Sequence, residues 1–143
     1  MSLSTQKLKV LILCTANSAR SQMAEGLLRE LATDRADVYS AGAKPSRVNP
    51  YAIAAMRERG IDISGQSSDH LSKYLAREFD YVITVCDKAA ETCPVFPGGA
   101  ARIHWSFPDP AAVSGEDDDV LRSFIKVRDG LERRLGEWFS SLG

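Results

Sequence analysis

Cys14 is followed by Thr15, Ala16, Asn17, Ser18 and Ala19, and then by Arg20 and Ser21. Such a run can do nucleophilic chemistry on a tetrahedral anion. A thiolate attacks, and a guanidinium offers a planar fork of donors for an oxyanion. The short loop between them can turn its backbone N–H groups inward, and a helix beginning at its end adds partial positive charge. Residues Thr15, Ala16, Asn17, Ser18, Ala19, Arg20 and Ser21 then form an anion cradle with Cys14 on its floor. The same field favours thiolate over thiol, so a depressed pKa is expected for Cys14. Asn17 is a residue type that tolerates the left-handed backbone a tight loop needs. Ser21 can donate to the thiolate and cap the helix. Singly, these parts are ordinary. A cysteine ending a buried strand is commonly a small hydrophobe. An arginine at a helix start is commonly a surface charge. The spacing Cys-x5-Arg-Ser between a strand and a helix is what sets them apart.

Two further cysteines, Cys86 and Cys93, lie seven positions apart around Asp87-Lys88-Ala89-Ala90-Glu91-Thr92. That run has good helix formers. If it is helical, the two thiols share a face but stand about 10.5 Å apart along the axis. A disulfide needs Cα atoms about 4.4–6.8 Å apart, so the pair closes only if the segment unwinds. Pro94 and Pro97 stop the helix from growing. Two unrelated thiols, or half of a zinc site, are the other readings. Zinc needs further Cys or His ligands, and the chain has only His70 and His104. Neither histidine has a partner that the sequence can name. Asp109-Pro110 reads either as an ordinary turn or as a loop carboxylate that delivers a proton to the anion site.

These groups must be positioned by the elements around them. Lys7 to Leu13 reads as a strand and Ser21 to Ala32 as a helix with Met23, Leu27, Leu28 and Leu31 on one face. A second strand covers Asp37 to Ser40. Asn49-Pro50 opens a helix that carries Ile53 and Met56 inward and stops at Gly60. Ser68-Asp69 reads as the start of a short helix carrying Leu71 and Leu75. Strands follow over Phe79–Val85 and Ala101–Trp105. The last helix runs from Asp117 to Phe139, with Leu121, Phe124, Ile125, Leu131, Leu135 and Trp138 as its buried stripe. Gly130 inside it costs about 1 kcal/mol relative to Ala. Alternating strands and helices predict a parallel sheet with helices on both faces. Ligands in such sheets bind beyond the strands' carboxyl ends, where Cys14 and Cys86 both belong.

With 143 residues, one α/β domain over 7–143 is expected, preceded by a flexible segment 1–6. Composition is that of a soluble globular chain, 44% hydrophobic and 26% charged. A net charge of -1 argues against nucleic acid or an anionic membrane as partner. No apolar run approaches the ~20 residues of a membrane span. The apolar stretch after Lys7 and Lys9 ends at Cys14, too short for a secretory signal. A cytoplasmic location is therefore expected, with the three cysteines reduced at rest.

From Cys14 through Gly26, the chain resembles the phosphate-binding loop of the low-molecular-weight protein tyrosine phosphatase superfamily. More narrowly, it resembles the thioredoxin-coupled arsenate reductases within it. The resemblance continues through Tyr39–Gly42, Ser68-Asp69, Val85-Cys86 to Cys93-Pro94, and His104-Trp105 to Asp109-Pro110. It implies a four-stranded parallel sheet and arsenate reduction by a relay of Cys14, Cys86 and Cys93, with Arg20 holding the anion and Asp109 protonating the leaving oxygen. It implies thioredoxin as reductant, arsenate and phosphate-like oxyanions as ligands, and no organic cofactor. Asn17, Glu25, Ser40 and Asp69 align with positions that bind potassium in some members. Serine and aspartate at caps and a glutamate on a helix face also have ordinary structural explanations. Ala16 and Ala19 stand where the family often has Gly and Cys, and Ala111 and Ala112 where its phosphatases place an aromatic residue. Two rival readings remain: a tyrosine phosphatase that leaves Cys86 and Cys93 idle, and a non-catalytic oxyanion-binding or redox-sensing module that has no use for Asp109.

Overall fold

Val10, Leu11, Ile12 and Leu13 are inaccessible on both sides, as an unbroken apolar run requires of a strand covered on two faces. They belong to β1 (Leu8–Leu13). The other strands are β2 (Ala36–Ala41), β3 (Tyr81–Thr84) and β4 (Ala101–His104). The sheet has the order β2-β1-β3-β4 with every pairing parallel, so the expected α/β architecture is present. The computed structural model describes residues 7–91 and 93–142. The N-terminal segment 1–6, expected to be flexible, lies outside them.

The helices are α1 (Arg20–Ala32), α2 (Pro50–Glu58), α3 (Asp87–Glu91) and α4 (Asp117–Ser141). Two 3₁₀ turns cover Leu71–Tyr74 and Pro110–Ala112. The chain leaves β1 in one direction to reach β2, then returns past β1 to β3. That reversal opens a crevice at the carboxyl ends of β1 and β3. Leu13 is in register with Thr84, and Val85 N–H donates to the Leu13 carbonyl at 3.0 Å. Cys14 and Cys86 therefore leave adjacent strands side by side.

Three expected faces differ in detail. Leu31 is exposed, and Ala24 joins Met23, Leu27 and Leu28 in the core. Helix α2 turns Ala52, Ala55 and Met56 fully inward and leaves Ile53 half-buried, because small residues allow close packing on α4. Leu75 is exposed, and Tyr74 is buried instead. The turn there is 3₁₀, with three residues per turn, so Leu71 and Tyr74 share a face. Its cap is His70, whose Nδ1 accepts from Ser72 N–H at 3.0 Å, and not Ser68-Asp69.

Helix α4 continues unbroken through Gly130 and runs to Ser141; Val127 and Phe139 are buried with Phe124, Leu131 and Leu135, while Leu121, Ile125 and Trp138 are only half-buried. A Cβ at Gly130 would lie 3.2 Å from Cε1 of Phe107. The glycine makes room for that ring, which belongs to the loop leading to Asp109. A second glycine is more tightly constrained. A Cβ at Gly42 would lie 2.3 Å from the Thr15 carbonyl oxygen and 2.5 Å from that of Cys14. The end of β2 can lie against the Cys14 loop only where no side chain intervenes.

Gly42→Ala should therefore cost about 1–3 kcal/mol, the usual range for overpacking against atoms that cannot yield. Denaturant midpoints measure that loss. The displaced loop should also lose most of the rise in Tm that added phosphate gives the wild type through binding to the folded state.

Candidate active site

The loop from Cys14 to Arg20 is held from outside by its carbonyls. The Thr15 carbonyl accepts from Lys44 N–H at 2.9 Å, Ala16 from Ser46 N–H at 3.2 Å, and Ser18 from Asn49 N–H at 2.9 Å. The Asn17 carbonyl accepts from Gln22 Nε2 at 2.9 Å, and Ser68 Oγ donates to Ala16 at 3.2 Å. In a trans peptide the N–H points opposite to the C=O. Four carbonyls turned outward therefore turn the N–H groups of Ala16 to Ala19 inward, as a concave donor surface. Helix α1 begins at Arg20 with no side-chain cap on its free N–H groups, which extends that surface.

Asn17 takes the strain, at φ +46°, as its residue type suggested. It is wholly buried and fully engaged. Its Nδ2 donates to Ser21 Oγ at 2.8 Å and Ser40 Oγ at 2.9 Å, and its Oδ1 accepts from Asp69 N–H at 2.9 Å. Ser21 thus lies inside α1 and serves the loop through Asn17; it is not the helix cap.

Cys14 and Cys86 are both buried and lie close enough for their titrations to be coupled. The expected depression of Cys14 does not hold in this geometry. Its pKa is raised, first by the bond to Cys86 and then by burial, against the lowering charge of Arg20. Cys86 is lowered to about 5, chiefly by the Cys14 hydrogen bond, against burial. The Thr15 hydroxyl, 3.5 Å from its sulfur, and the N–H groups of Ala89 and Thr15 add to the lowering. The two sulfurs titrate as a coupled pair, Cys14 pushed up and Cys86 pulled down from the usual thiol range. Sequence placed both thiols at one edge of the sheet. It did not reveal that they touch, and contact is what sends the two titrations in opposite directions.

Arg20 is tied on one side, its Nη1 donating to the Phe107 carbonyl at 2.8 Å. Asp109, two residues further, is exposed and accepts from Ala111 N–H at 3.0 Å, capping the short turn after it. It is joined to the site through Arg20 and Phe107 and not by contact with Cys14. His104 has partners that sequence reading did not find: Thr84 Oγ1 at 2.8 Å and Asp87 Oδ1 at 2.9 Å. Gln22, wholly buried in the first turn of α1, was also missed. An amide beside Ser21 in an otherwise apolar helix face was the available signal.

Helix α3 is described over Asp87–Glu91, as the run after Cys86 suggested, and Thr92 lies outside the described residues. Cys93 therefore stands beyond the helix, half-buried, with its thiol raised by burial. A cavity of about 340 Å³ opens between Cys14 and Cys93, walled by Leu13, Ala43, Leu71 and Ala89. All three cysteines are free thiols.

Glu25, Ser40 and Asp69 line a polar cavity of about 280 Å³. Ser40 Oγ donates to Glu25 at 2.5 Å. Burial raises the Glu25 pKa, the Asp69 charge adds to this, and Ser40 and Arg29 oppose it. The oxygen set has the chemistry of a hard-cation site. Arg29, 2.7 Å from Glu25, and Lys73, 3.6 Å from Asp69, already balance part of its charge. Asn17 supports the set from beneath, its oxygen engaged by Asp69 N–H.

The model of the low molecular weight phosphotyrosine protein phosphatase family matches residues 9–143, and the chain belongs to that family. Within it, an arsenate reductase of Halalkalibacterium halodurans is 46% identical over 126 residues, 88% of this chain and 91% of that protein. A solved arsenate reductase in the phosphate-binding state has a TM-score of 0.76 at 35% identity, covering 95% of this chain and 99% of that one. A thioredoxin-dependent arsenate reductase of Corynebacterium glutamicum has a TM-score of 0.76 at 28% identity, covering 97% of this chain and 63% of that one. Among the described residues, no helix is long and apolar enough to cross a membrane.

Removing one sulfur should separate the coupled titrations. In Cys86→Ala the largest cause of the raised Cys14 pKa is gone, while Arg20 and the Thr15 N–H remain. Thiolate ultraviolet absorbance followed against pH should show the transition near about 5 disappear with Cys86, and Cys14 become more acidic than in the wild type.

Proposed function

We infer that the chain is an arsenate reductase, an oxidoreductase that converts arsenate to arsenite with its own thiols. The observation that carries this reading is the second buried thiol, Cys86, beside the cysteine on the floor of the anion loop at the ends of adjacent strands. A phosphatase needs one nucleophile. A reductase needs two electrons, and two touching thiols supply them. The alanines at 111 and 112 offer no aromatic surface for a phosphotyrosine ring.

Arsenate enters the loop on the N–H groups of Ala16 to Ala19 and the free side of Arg20. Cys14 passes its proton to the neighbouring Cys86 and attacks arsenic as thiolate. One arsenate hydroxyl leaves as water, its second proton supplied by Asp109, and a Cys14–arsenic bond remains. Cys86 then attacks the Cys14 sulfur and gives its proton to the departing oxygens. The sulfur–arsenic bond breaks and the Cys14–Cys86 disulfide forms. The electron pair of the broken sulfur–arsenic bond stays on arsenic, which passes from As(V) to As(III) and departs as arsenite. Cys93 attacks Cys86, frees Cys14 and carries the disulfide outward. The short α3 and the cavity beside Cys93 support such a movement.

Thioredoxin is the reductant of the exposed Cys86–Cys93 disulfide, and the reduced thiols the cycle needs place the enzyme in the cytoplasm. Glu25, Ser40 and Asp69, with Asn17 behind them, would hold a potassium ion. When bound, it would supply positive charge that steadies the buried carboxylate and, through Asn17, the loop.

Arsenite release coupled to thioredoxin, thioredoxin reductase and NADPH tests the reading, set beside hydrolysis of an aryl phosphate. Cys93→Ser should release one equivalent of arsenite and stop with Cys14 and Cys86 joined, because that disulfide is too deep for thioredoxin. Steady thioredoxin-linked turnover by this variant, shown with peptide mapping, would refute the relay.

Asp109→Asn should slow single-turnover arsenite release by about 10²–10⁴-fold, the usual contribution of a general acid. Competition by phosphate should be largely unchanged in that variant.

A further inference from the structure

The redox turn carries a second set of contacts that the relay does not use. Thr84 ends β3, Cys86 follows two residues later, and Asp87 opens α3. One imidazole reaches both sides of that turn. His104, the last residue of β4, places Nδ1 2.8 Å from Thr84 Oγ1 and Nε2 2.9 Å from Asp87 Oδ1. Asp87 is held as a carboxylate, its pKa lowered first by His104, then by Ser106, with smaller help from the His104 and Arg20 charges. A carboxylate only accepts, so Nε2 must carry a proton toward it. The backbone anchors the strand side of the turn: Val85 N–H donates to the Leu13 carbonyl at 3.0 Å, the Val85 carbonyl accepts from Phe107 N–H at 3.3 Å, and the Thr84 carbonyl accepts from Trp105 N–H at 2.9 Å. On the far side, α3 has five residues and begins at the cysteine's own neighbour. Too short to hold itself in place, it depends on contacts such as the Asp87 clasp.

We propose that His104 is a positioning residue which aims Cys86 at Cys14 by clasping Thr84 and Asp87 on either side of the redox turn. This rests on the reductase reading above. The clasp acts on the second step, attack of Cys86 on the Cys14 sulfur, where sulfur must lie in line with the sulfur–arsenic bond. A thiol misplaced by about 1 Å can lose on the order of 10²-fold in rate. The same clasp has to open when Cys93 comes in, since Asp87 moves with α3. The ring nitrogens of His104 bond to Thr84 and Asp87, outside the anion loop, so anion binding should be independent of it.

Rapid-quench measurement of arsenite release in a single turnover tests this. His104→Ala and Asp87→Ala should each release arsenite about 10–100-fold more slowly than the wild type. Asp87→Asn keeps an oxygen acceptor for Nε2–H and should recover most of the rate, which a mere charge effect at the start of α3 would not allow. The double variant should be no slower than His104→Ala, because the His104–Asp87 bond is already lost in that single variant. The phosphate-induced rise in Tm should be unchanged in His104→Ala, and in the Asp87 variants no smaller than in the wild type, since the loss of that carboxylate only relieves Arg20 of a competing charge. Iodoacetamide should alkylate Cys86 faster in both alanine variants, as the turn loosens. Wild-type release rates in both alanine variants, or effects that multiply in the double variant, would overturn the proposal. If His104→Ala does not fold, the Asp87 pair decides alone. If the wild type itself releases no arsenite, the reductase reading fails, and the alkylation rates then judge the clasp: equal rates overturn it.

Discussion

Four consecutive peptides turned the same way are the constraint on which this structure depends. A loop that aims N–H groups at an empty centre is repulsive within itself, because its dipoles converge. It persists only when the carbonyls on the outer side are each satisfied. Here donors from the segment after β2, from the start of α2, from Gln22 and from Ser68 supply that satisfaction. Asn17 closes the arrangement from below, with a left-handed backbone and three side-chain hydrogen bonds. Much of the middle of the chain, from Ser40 to Asp69, is thus committed to one loop. Gly42 shows how close the approach is, since its missing side chain is the space that the Cys14 and Thr15 carbonyls occupy.

The two sulfurs beneath that loop behave as one titrating unit. A lone cysteine beside Arg20 would be acidic, by the ordinary logic of a nearby positive charge. Contact with Cys86 reverses the assignment: one sulfur of a hydrogen-bonded pair gives up its proton easily and the other keeps its own. A proton can therefore pass from one sulfur to the other as the reaction proceeds. The arrangement suits a reaction in which both sulfurs must attack in turn, and it gives a phosphatase nothing.

Strength of attachment is graded across the site. The loop is fastened at four consecutive peptides, and Arg20 by one arm to the Phe107 carbonyl. Helix α3 is short, and the cavity between Cys14 and Cys93 leaves it thinly packed on one side. A rigid anion cradle beside a loosely held redox segment lets one part bind while the other rearranges.

Local pattern determined much of this protein. An apolar run followed by Cys-x5-Arg-Ser and an amphipathic helix specified β1, the loop and α1, because the loop's chemistry is contained within one contiguous stretch. Alternation of strands and helices specified a parallel sheet, and Asn49-Pro50 specified the start of α2. What tertiary structure decided were the relations between distant stretches. Strand order put β3 beside β1, so Cys86 meets Cys14 and reverses its titration. A 3₁₀ turn in place of an α-helix exchanged Leu75 for Tyr74 in the core. His104 had no legible partner because both of its contacts, Thr84 and Asp87, come from another strand and the turn beyond it. Gly130 read as a weak point in a helix and proved to be the seat of the Phe107 ring. Periodicity and motif spacing carry information only along the chain. Proton sharing, close approach and clasping depend on which strands become neighbours, and that is settled when the sheet assembles.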